Sequence, residues 1–206
     1  LYFAREFVEQ IKDDCRYVHL WQKWIVYDGK RWGIDTSNEL ARRSHAMPKY
    51  YFELASKAEN KDERKELVEK ATKCESSKNL TVYRREAAAM LPFETKGSAS
   101  GGASRIELDT NPMLLNCPNG TVDLRTGELR EHRRDDWISH ITPVAFDESG
   151  KCDLWEQSIA QIFADRQDLI DYFWRLCGYS ITGGTQEQIL PVLHGGGGNG
   201  KSIVVT

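Results

Sequence analysis

The N-terminal part of the chain places apolar residues at helical spacing. Phe3, Phe7 and Ile11 recur every three to four positions and predict a first helix that ends near Cys15. The same spacing predicts a second helix over residues 40–58. Each stretch has one apolar face, so we expect amphipathic helices that pack on a shared core.

Small polar residues and a proline mark the limits of the later helices. Ser37 or Asn38 is expected to cap the second helix, because a short side-chain oxygen can accept a hydrogen bond from a free amide of the first turn. The helical pattern continues over residues 61–91 and ends at Pro92, which lacks a backbone N–H. The charges of residues 57–70 alternate in sign, which is typical of a solvated helix face.

Residues 17–35 show an extended, aromatic-rich pattern instead. Asp28-Gly29 is a favoured hairpin turn, since both residues tolerate positive φ, and it predicts a small β-hairpin or meander. The aromatic side chains could stack on nucleic-acid bases, but clustered tryptophans in a short hairpin more often build a core. They are Trp21, Trp24, Tyr27 and Trp32.

The second half of the chain begins with a flexible stretch and then becomes β-rich. Residues 97–104 are glycine, serine and alanine, as in a natural surface loop or an engineered linker. Short strands are expected over residues 113–116, 121–124 and 128–132, separated by turns at glycine, which predicts a compact meander. Residues 137–146 add another extended piece.

Helical spacing returns after this meander. Two helices are expected from Asp153 onward, with a break at Asp165 and an end at Gly178, because glycine is common just past a helix. A final apolar strand is predicted over residues 189–193. The chain begins within an amphipathic pattern and stops at Thr206, where a helix should be under way, so we expect a piece of a longer protein.

Composition limits the class of protein. The 206 residues are 40% hydrophobic and 29% charged, with a formal net charge of -3, which is ordinary for a globular protein and unlike a strongly basic DNA-coating protein. The apolar runs are too short to span a bilayer and no signal segment opens the chain. We therefore expect a cytoplasmic protein without a membrane partner.

Cysteine and histidine spacing does not predict a metal site. The cysteines form no CxxC pair, so we interpret them as buried free thiols, and no histidine is assigned a catalytic role. The five cysteines are Cys15, Cys74, Cys117, Cys152 and Cys177.

Other polar residues are weaker candidates for a site. Asp109 and Asp123 suggest a metal pair, but turn and cap roles are commoner for isolated aspartates. A basic strip is a possible DNA contact, although acidic residues 135–136 offset it directly; its members are Arg130, Arg133 and Arg134, with His132 between them. Arg84-Arg85 could meet phosphate, but paired surface arginines are too common to indicate a site.

Residues 195–202 carry the clearest chemistry. They satisfy G-x-x-x-x-G-K-[ST], the Walker A pattern, directly after the predicted strand 189–193. Glycines let successive N–H groups cradle phosphate oxygens, Lys201 would bridge the β- and γ-phosphates, and Ser202 would help hold Mg²⁺. The alternative is a glycine-rich tail that matches by accident. The predicted phosphate-binding residues are Gly195, Gly196, Gly197, Gly198, Asn199, Gly200, Lys201 and Ser202.

Three motifs in order resemble the phage/plasmid primase–helicase family, which includes the poxvirus primase–helicase. Residues 114–129 read LLNCPNGTVDLRTGEL, residues 176–180 read LCGYS, and residues 195–202 read GGGGNGKS, the form found in superfamily 3 helicases. Residues 24–32 also resemble the opening of the family's accessory domain. The resemblance is weakest over residues 38–110.

The resemblance implies an α+β fold and a domain order. A mainly helical accessory domain with small β-hairpin and meander elements would occupy residues 1–150, in two parts split at 97–104. A helical connector would follow over residues 151–184. Residues 185–206 would be the first strand and P-loop of a truncated α/β AAA+-like helicase domain.

The resemblance also implies an activity for the parent protein. It would be an ATP-dependent DNA helicase that uses ATP and Mg²⁺ to unwind single-stranded or forked DNA at replication, with a primase domain upstream and a homo-hexameric helicase ring. No catalytic residue is identifiable within this piece, and we expect no appreciable ATPase activity from it. The alternatives are a non-catalytic DNA-binding or oligomerisation module, or a P-loop NTPase of another class.

Overall fold

The computed structural model describes residues 2–93, 107–198 and 200–205. The predicted loop 97–104 and Asn199 lie outside them. The chain divides into two compact units: the first holds Leu1–Thr110 and His132–His140, and the second holds Asn111–Glu131 and Ile141–Thr206. Both units mix helices with a small sheet, so the α+β class is confirmed.

The first unit packs helices on a four-stranded sheet. Its elements are α1 (Tyr2–Ile11), β1 (Cys15–Val18), β2 (Lys23–Tyr27), β3 (Trp32–Ile34), α2 (Glu39–Lys57), α3 (Lys61–Cys74), α4 (Ser77–Met90) and β4 (Pro92–Phe93). The strand order in the sheet is β3-β2-β1-β4. β1 and β2 pair antiparallel, as do β2 and β3, whereas β4 lies parallel to β1.

The predicted hairpin is confirmed, and local chemistry explains it. Gly29 has a φ of 96° between β2 and β3, a backbone conformation that side chains with a Cβ rarely adopt. The Asp28 carboxylate accepts hydrogen bonds from the amides of Lys30 and Arg31 at 2.8 and 2.9 Å. The turn therefore satisfies its own polar groups and sets the register of the two strands.

The sheet of the first unit separates two apolar cores because side chains alternate across a strand. On one face Cys15 joins residues of the helices, including Phe7, Met47 and Leu80, all nearly fully buried. On the other face lies a smaller core. Its buried members are Val18, Ile25, Trp32 and Phe93.

The smaller core is closed by the segment that returns at residues 132–140. The rings of Trp32 and Trp137 stack with centroids 4.4 Å apart and an interplanar angle of 17°. Trp32 also donates from its ring N–H to the Arg134 carbonyl and from its backbone N–H to the Ile138 carbonyl, each at 2.8 Å. The Arg16 guanidinium lies 5.6 Å from the Trp137 ring centroid, within cation–π range.

The cap of α2 differs from the prediction. Neither Ser37 nor Asn38 supplies it: Asn38 has a φ of 57° and its side chain makes no capping bond. The Asp35 carboxylate accepts from the amides of Glu39 at 2.7 Å and Leu40 at 3.0 Å instead. The turn at 35–38 brings this anion onto the first turn of the helix, where it also complements the positive end of the helix dipole.

The second unit contains the predicted meander, followed by helices. Its elements are β5 (Leu114–Cys117), β6 (Gly120–Asp123), β7 (Glu128–Arg130), α5 (Asp153–Ile162), α6 (Gln167–Ser180) and α7 (Lys201–Val205). The three strands form an antiparallel sheet of order β5-β6-β7. Gly120 begins β6 with a φ of 155°, and a Cβ there would lie 2.5 Å from the Arg130 carbonyl oxygen. Only glycine fits this close approach.

Three predictions for the second half are wrong. Residues 137–146 form no strand; part of this segment instead covers the smaller core of the first unit. Helix α6 continues through Gly178 to Ser180, since Gly178 lies in open space and needs no special backbone angle. Residues 189–193 are also irregular, because a strand needs a hydrogen-bonding neighbour and none of the described strands pairs with them.

The sequence predicts that no apolar run is long enough to span a bilayer. Among the described residues, no helix has both the length and the apolar character needed to cross a bilayer.

Trp137→Ala should lower the free energy of unfolding of the chain by about 3 kcal/mol, because it removes the stacking partner of the fully buried Trp32. Urea denaturation followed by tryptophan fluorescence measures the loss. Trp21→Ala is the matched control, since the Trp21 side chain is 41% exposed and its removal should cost about 0.5 kcal/mol or less. Equal losses in both variants would contradict the role given to the stack.

The cysteines should differ sharply in reactivity. Burial raises the pKa of the Cys15 and Cys74 thiols to about 11, and the reactive thiolate is correspondingly scarce at pH 8. Cys152 is exposed and Cys177 is half-buried, contrary to the prediction that all five thiols are buried. A thiol-specific reagent should therefore modify Cys152 first in the native chain, and Cys152→Ser should remove the fast phase. Rapid native-state modification of Cys15 or Cys74, located by peptide mass spectrometry, would contradict this assignment.

Candidate nucleotide-binding loop

The glycine-rich loop lies in the second unit between an irregular apolar segment and α7. Residues 189–196 have no regular structure, and α7 begins at Lys201, directly after Gly200. The Val204 amide donates to the Gly200 carbonyl at 3.2 Å, which starts the helix at the last glycine of the loop. Loop and helix therefore follow each other in the order that the Walker A pattern predicts.

Two glycines of the loop adopt backbone angles that favour glycine. Gly198 has a φ of 70° and Gly200 a φ of 77°. Gly200 is also restricted sterically: a Cβ there would lie 2.6 and 2.7 Å from the Cγ1 and Cδ1 atoms of Ile162, at the end of α5. Gly196 and Gly197, by contrast, have open space around the Cβ position.

Lys201 closes the loop on itself. Its ammonium donates hydrogen bonds to the carbonyl oxygens of Gly195 at 3.0 Å and Gly196 at 2.8 Å. The side chain thus reaches back across the loop and places a positive charge beside its first two residues. An anion that enters here would meet this charge without a large rearrangement of the lysine.

Two further residues of the predicted loop are Ser202 and Asn199. Ser202 directly follows Lys201 in the first turn of α7 and is exposed. Asn199 lies outside the described residues. Across the parts of the chain that are described, no group of three or more His, Cys, Asp or Glu side chains could hold a metal ion.

The predicted basic strip is divided between the two units. Arg130 ends β7 in the second unit, where it donates to the Glu131 carbonyl at 3.2 Å, whereas Arg133 and Arg134 belong to the first unit. The Arg134 guanidinium forms an ion pair with Asp14 at 3.3 Å, so a nearby acid offsets its charge. DNA contact by Arg130, Arg133 and Arg134 stays a prediction.

Asp109 and Asp123 each accept a hydrogen bond from a backbone amide. The Asp109 carboxylate accepts from the Ser139 amide at 2.7 Å, and Asp123 accepts from the Arg125 amide at 2.9 Å. The two aspartates belong to different units. Asp123 holds a turn, as short carboxylates commonly do. Asp109 instead joins two segments that lie 30 residues apart in sequence.

Sequence reasoning missed a cavity of about 540 Å³ in the first unit. Its lining includes Tyr17 and Trp24 from the hairpin and Arg84 and Arg85 from α4. The aromatic hairpin and the arginine pair were each visible in the sequence. No sequence pattern links them, because Trp24 and Arg84 are far apart in sequence and only the fold brings them to the same cavity.

Comparison with known proteins identifies the family. Residues 2–164 match the family model described as "D5 N terminal like", and the chain belongs to this family. The predicted relation to primase–helicases is thereby confirmed. The chain is also similar to "Putative helicase 121R" of Invertebrate iridescent virus 3, with 28% identity over 101 residues, which is 47% of this chain and 11% of that relative. The family match ends before Gly195, so the phosphate-binding role of the loop stays a prediction.

Gly200→Ala should destabilise the second unit by about 2–4 kcal/mol, because it combines an unfavourable φ with the contact on Ile162. Thermal unfolding measures the effect, and Gly197→Ala, in open space, is the matched control. Adding Ile162→Ala to Gly200→Ala should recover the steric part of the loss. A double variant with fully additive costs would rule out the steric account.

Proposed function

We propose that this chain is part of a replicative primase–helicase and that residues 195–202 bind the triphosphate of ATP. The observation that carries the proposal is the Lys201 ammonium held 2.8–3.0 Å from two loop carbonyls, within a loop that has glycines at positive φ. Membership of the D5 N-terminal-like family and the similarity to a viral protein named as a helicase support the replicative context.

Triphosphate binding would use the chemistry of the loop directly. Bound phosphate oxygens would replace the carbonyls of Gly195 and Gly196 as partners of Lys201, exchanging neutral acceptors for charged ones. Amides of the loop glycines would donate to the remaining oxygens. The Ser202 hydroxyl would be a ligand of the Mg²⁺ that accompanies ATP.

The parent activity in this proposal is ATP-driven DNA unwinding by a homo-hexamer joined to an upstream primase. Hydrolysis needs a carboxylate that holds Mg²⁺ and a group that orients water. Neither is assigned within these residues, so this chain should bind ATP without turning it over. It would supply the accessory region and the start of the nucleotide site.

Lys201→Ala should weaken binding of a fluorescent ATP analogue with Mg²⁺ by about 10- to 100-fold, because two or more charge-assisted hydrogen bonds are lost. Lys151→Ala is the matched control, since it removes an exposed lysine of the same unit that lies outside the loop. Phosphate release is measured in parallel. Equal affinity in both variants would exclude the loop as the site, and robust ATP turnover that Lys201→Ala abolishes would refute the absence of hydrolysis.

A non-catalytic DNA-binding or oligomerisation module is the second candidate. The family match supports it, because residues 2–164 make the match without the loop. Salt-sensitive binding of single-stranded DNA together with normal affinity of Lys201→Ala for ATP would favour this module. A shift of sedimentation with concentration would favour assembly instead.

A further inference from the structure

The cavity of the first unit lies where the hairpin, the start of α2 and one face of α4 meet. Its volume of about 540 Å³ is within the usual range for small-molecule pockets. Small side chains, Ala41 from α2 and Ala88 from α4, line it and leave the space between the elements open. All of its lining residues belong to the first unit.

Two aromatic rings form one wall of the cavity. Tyr17 and Trp24 stand directly opposite each other on β1 and β2, with ring centroids 5.2 Å apart and an interplanar angle of 62°. Both side chains are half-buried, so each is anchored in the fold while part of its surface faces the cavity. Partly exposed, immobilised rings are the groups on which unpaired bases stack.

Three cationic side chains line the same cavity. Lys23 precedes Trp24 on β2, and Arg84 and Arg85 lie side by side on α4. The Arg84 guanidinium makes a long hydrogen bond, 3.4 Å, to the Thr81 hydroxyl. Arg85 pairs with Glu86 at 3.1 Å, but its side chain is 76% exposed, and surface pairs of this kind exchange readily for other anions.

The one acid that lines the cavity is already engaged. The Asp35 carboxylate accepts from two amides at the start of α2, those of Glu39 and Leu40, at 2.7 and 3.0 Å. The cavity lining therefore has three cationic side chains and one carboxylate. That carboxylate caps the N-terminus of α2. The cavity combines positive charge with aromatic surface, and neither a purely apolar ligand nor a simple anion uses both.

We propose that this cavity binds a single-stranded nucleic acid, with phosphates at Lys23, Arg84 and Arg85 and a base against Tyr17 and Trp24. A phosphodiester strand carries both matching groups, a repeating anion and a flat base. Paired bases of a duplex are stacked on each other and do not present such a face. The choice of DNA as the strand rests on the proposed replicative function, whereas the site itself stands on residues of the first unit, far in sequence from Lys201.

Fluorescence anisotropy with a labelled oligothymidine of about 12 nucleotides, at 50 and 200 mM salt, tests the site in the complete 206-residue chain. The double variant Arg84→Gln/Arg85→Gln should bind about tenfold or more weakly at 50 mM salt. It should also flatten the slope of log affinity against log salt by about 1.4, the value for two lost phosphate contacts on a single strand. Lys61→Gln/Lys65→Gln is the matched control, because it removes the same charge from exposed positions of α3 outside the cavity.

Tryptophan fluorescence tests the stacking separately. The oligonucleotide should quench part of the emission, and Trp24→Phe should abolish that part, while Trp21→Phe should retain it. Inorganic tripolyphosphate, which has no base, should compete for binding without causing the quench. An oligouridine and an oligodeoxyuridine of the same length differ only in the 2′-hydroxyl and so distinguish RNA from DNA. Equal affinity means that the site does not contact the 2′-hydroxyl, and saturable binding of either strand supports a single-stranded site.

Several results would overturn the proposal. They are no binding at 50 mM salt, equal weakening by the α3 control, and a quench that persists in Trp24→Phe. Circular dichroism melting of each variant separates these outcomes from unfolding. Because ATP affinity is measured through Lys201→Ala, failure of this site leaves the proposed nucleotide loop intact, and failure of the loop leaves this site intact.

Discussion

The stack of Trp32 on Trp137 determines the path of the chain. Trp32 has no exposed surface, yet β3 alone cannot bury it, because β3 has three residues and lies at the edge of its sheet. Burial is completed by residues that follow it by about a hundred positions, and both N–H groups of Trp32 donate to carbonyls of that returning segment. Burial of the two indole rings and these hydrogen bonds together offset the conformational entropy that is lost when residues 132–140 are ordered against the sheet.

Because residues 132–140 return to the first unit, the motif at residues 114–129 belongs to a different unit from the segments that flank it in sequence. The chain leaves the first unit after Thr110, forms the β5–β7 meander, comes back for residues 132–140 and leaves again. Within this motif, Asn116 and Thr121 are buried and joined by a hydrogen bond of 3.1 Å, while Gly120 allows β7 to approach closely. These residues therefore have structural roles within the meander.

Features determined by neighbouring residues were predictable from the sequence. The Asp28-Gly29 turn, the amphipathic helices and the meander each depend on patterns a few residues long. The Asp35 cap was missed because the acid precedes the helix by four residues and reaches it only through an irregular turn. Residues 189–193 were predicted as a strand from their apolar character, but apolar character does not supply the neighbouring strand that a ladder needs.

The two candidate sites also differ in how far they could be predicted from the sequence. The Walker A pattern can be read directly because every group it uses lies within eight residues, and the contact of Lys201 with Gly195 spans only six positions. The cavity at Trp24 and Arg84 has no such signature, since its aromatic and cationic parts are contributed by different elements and meet only after packing. An arginine pair or a tryptophan hairpin alone is too common to indicate binding. Their convergence around open space is informative, because burying the rings fully and dispersing the charges would have satisfied stability alone.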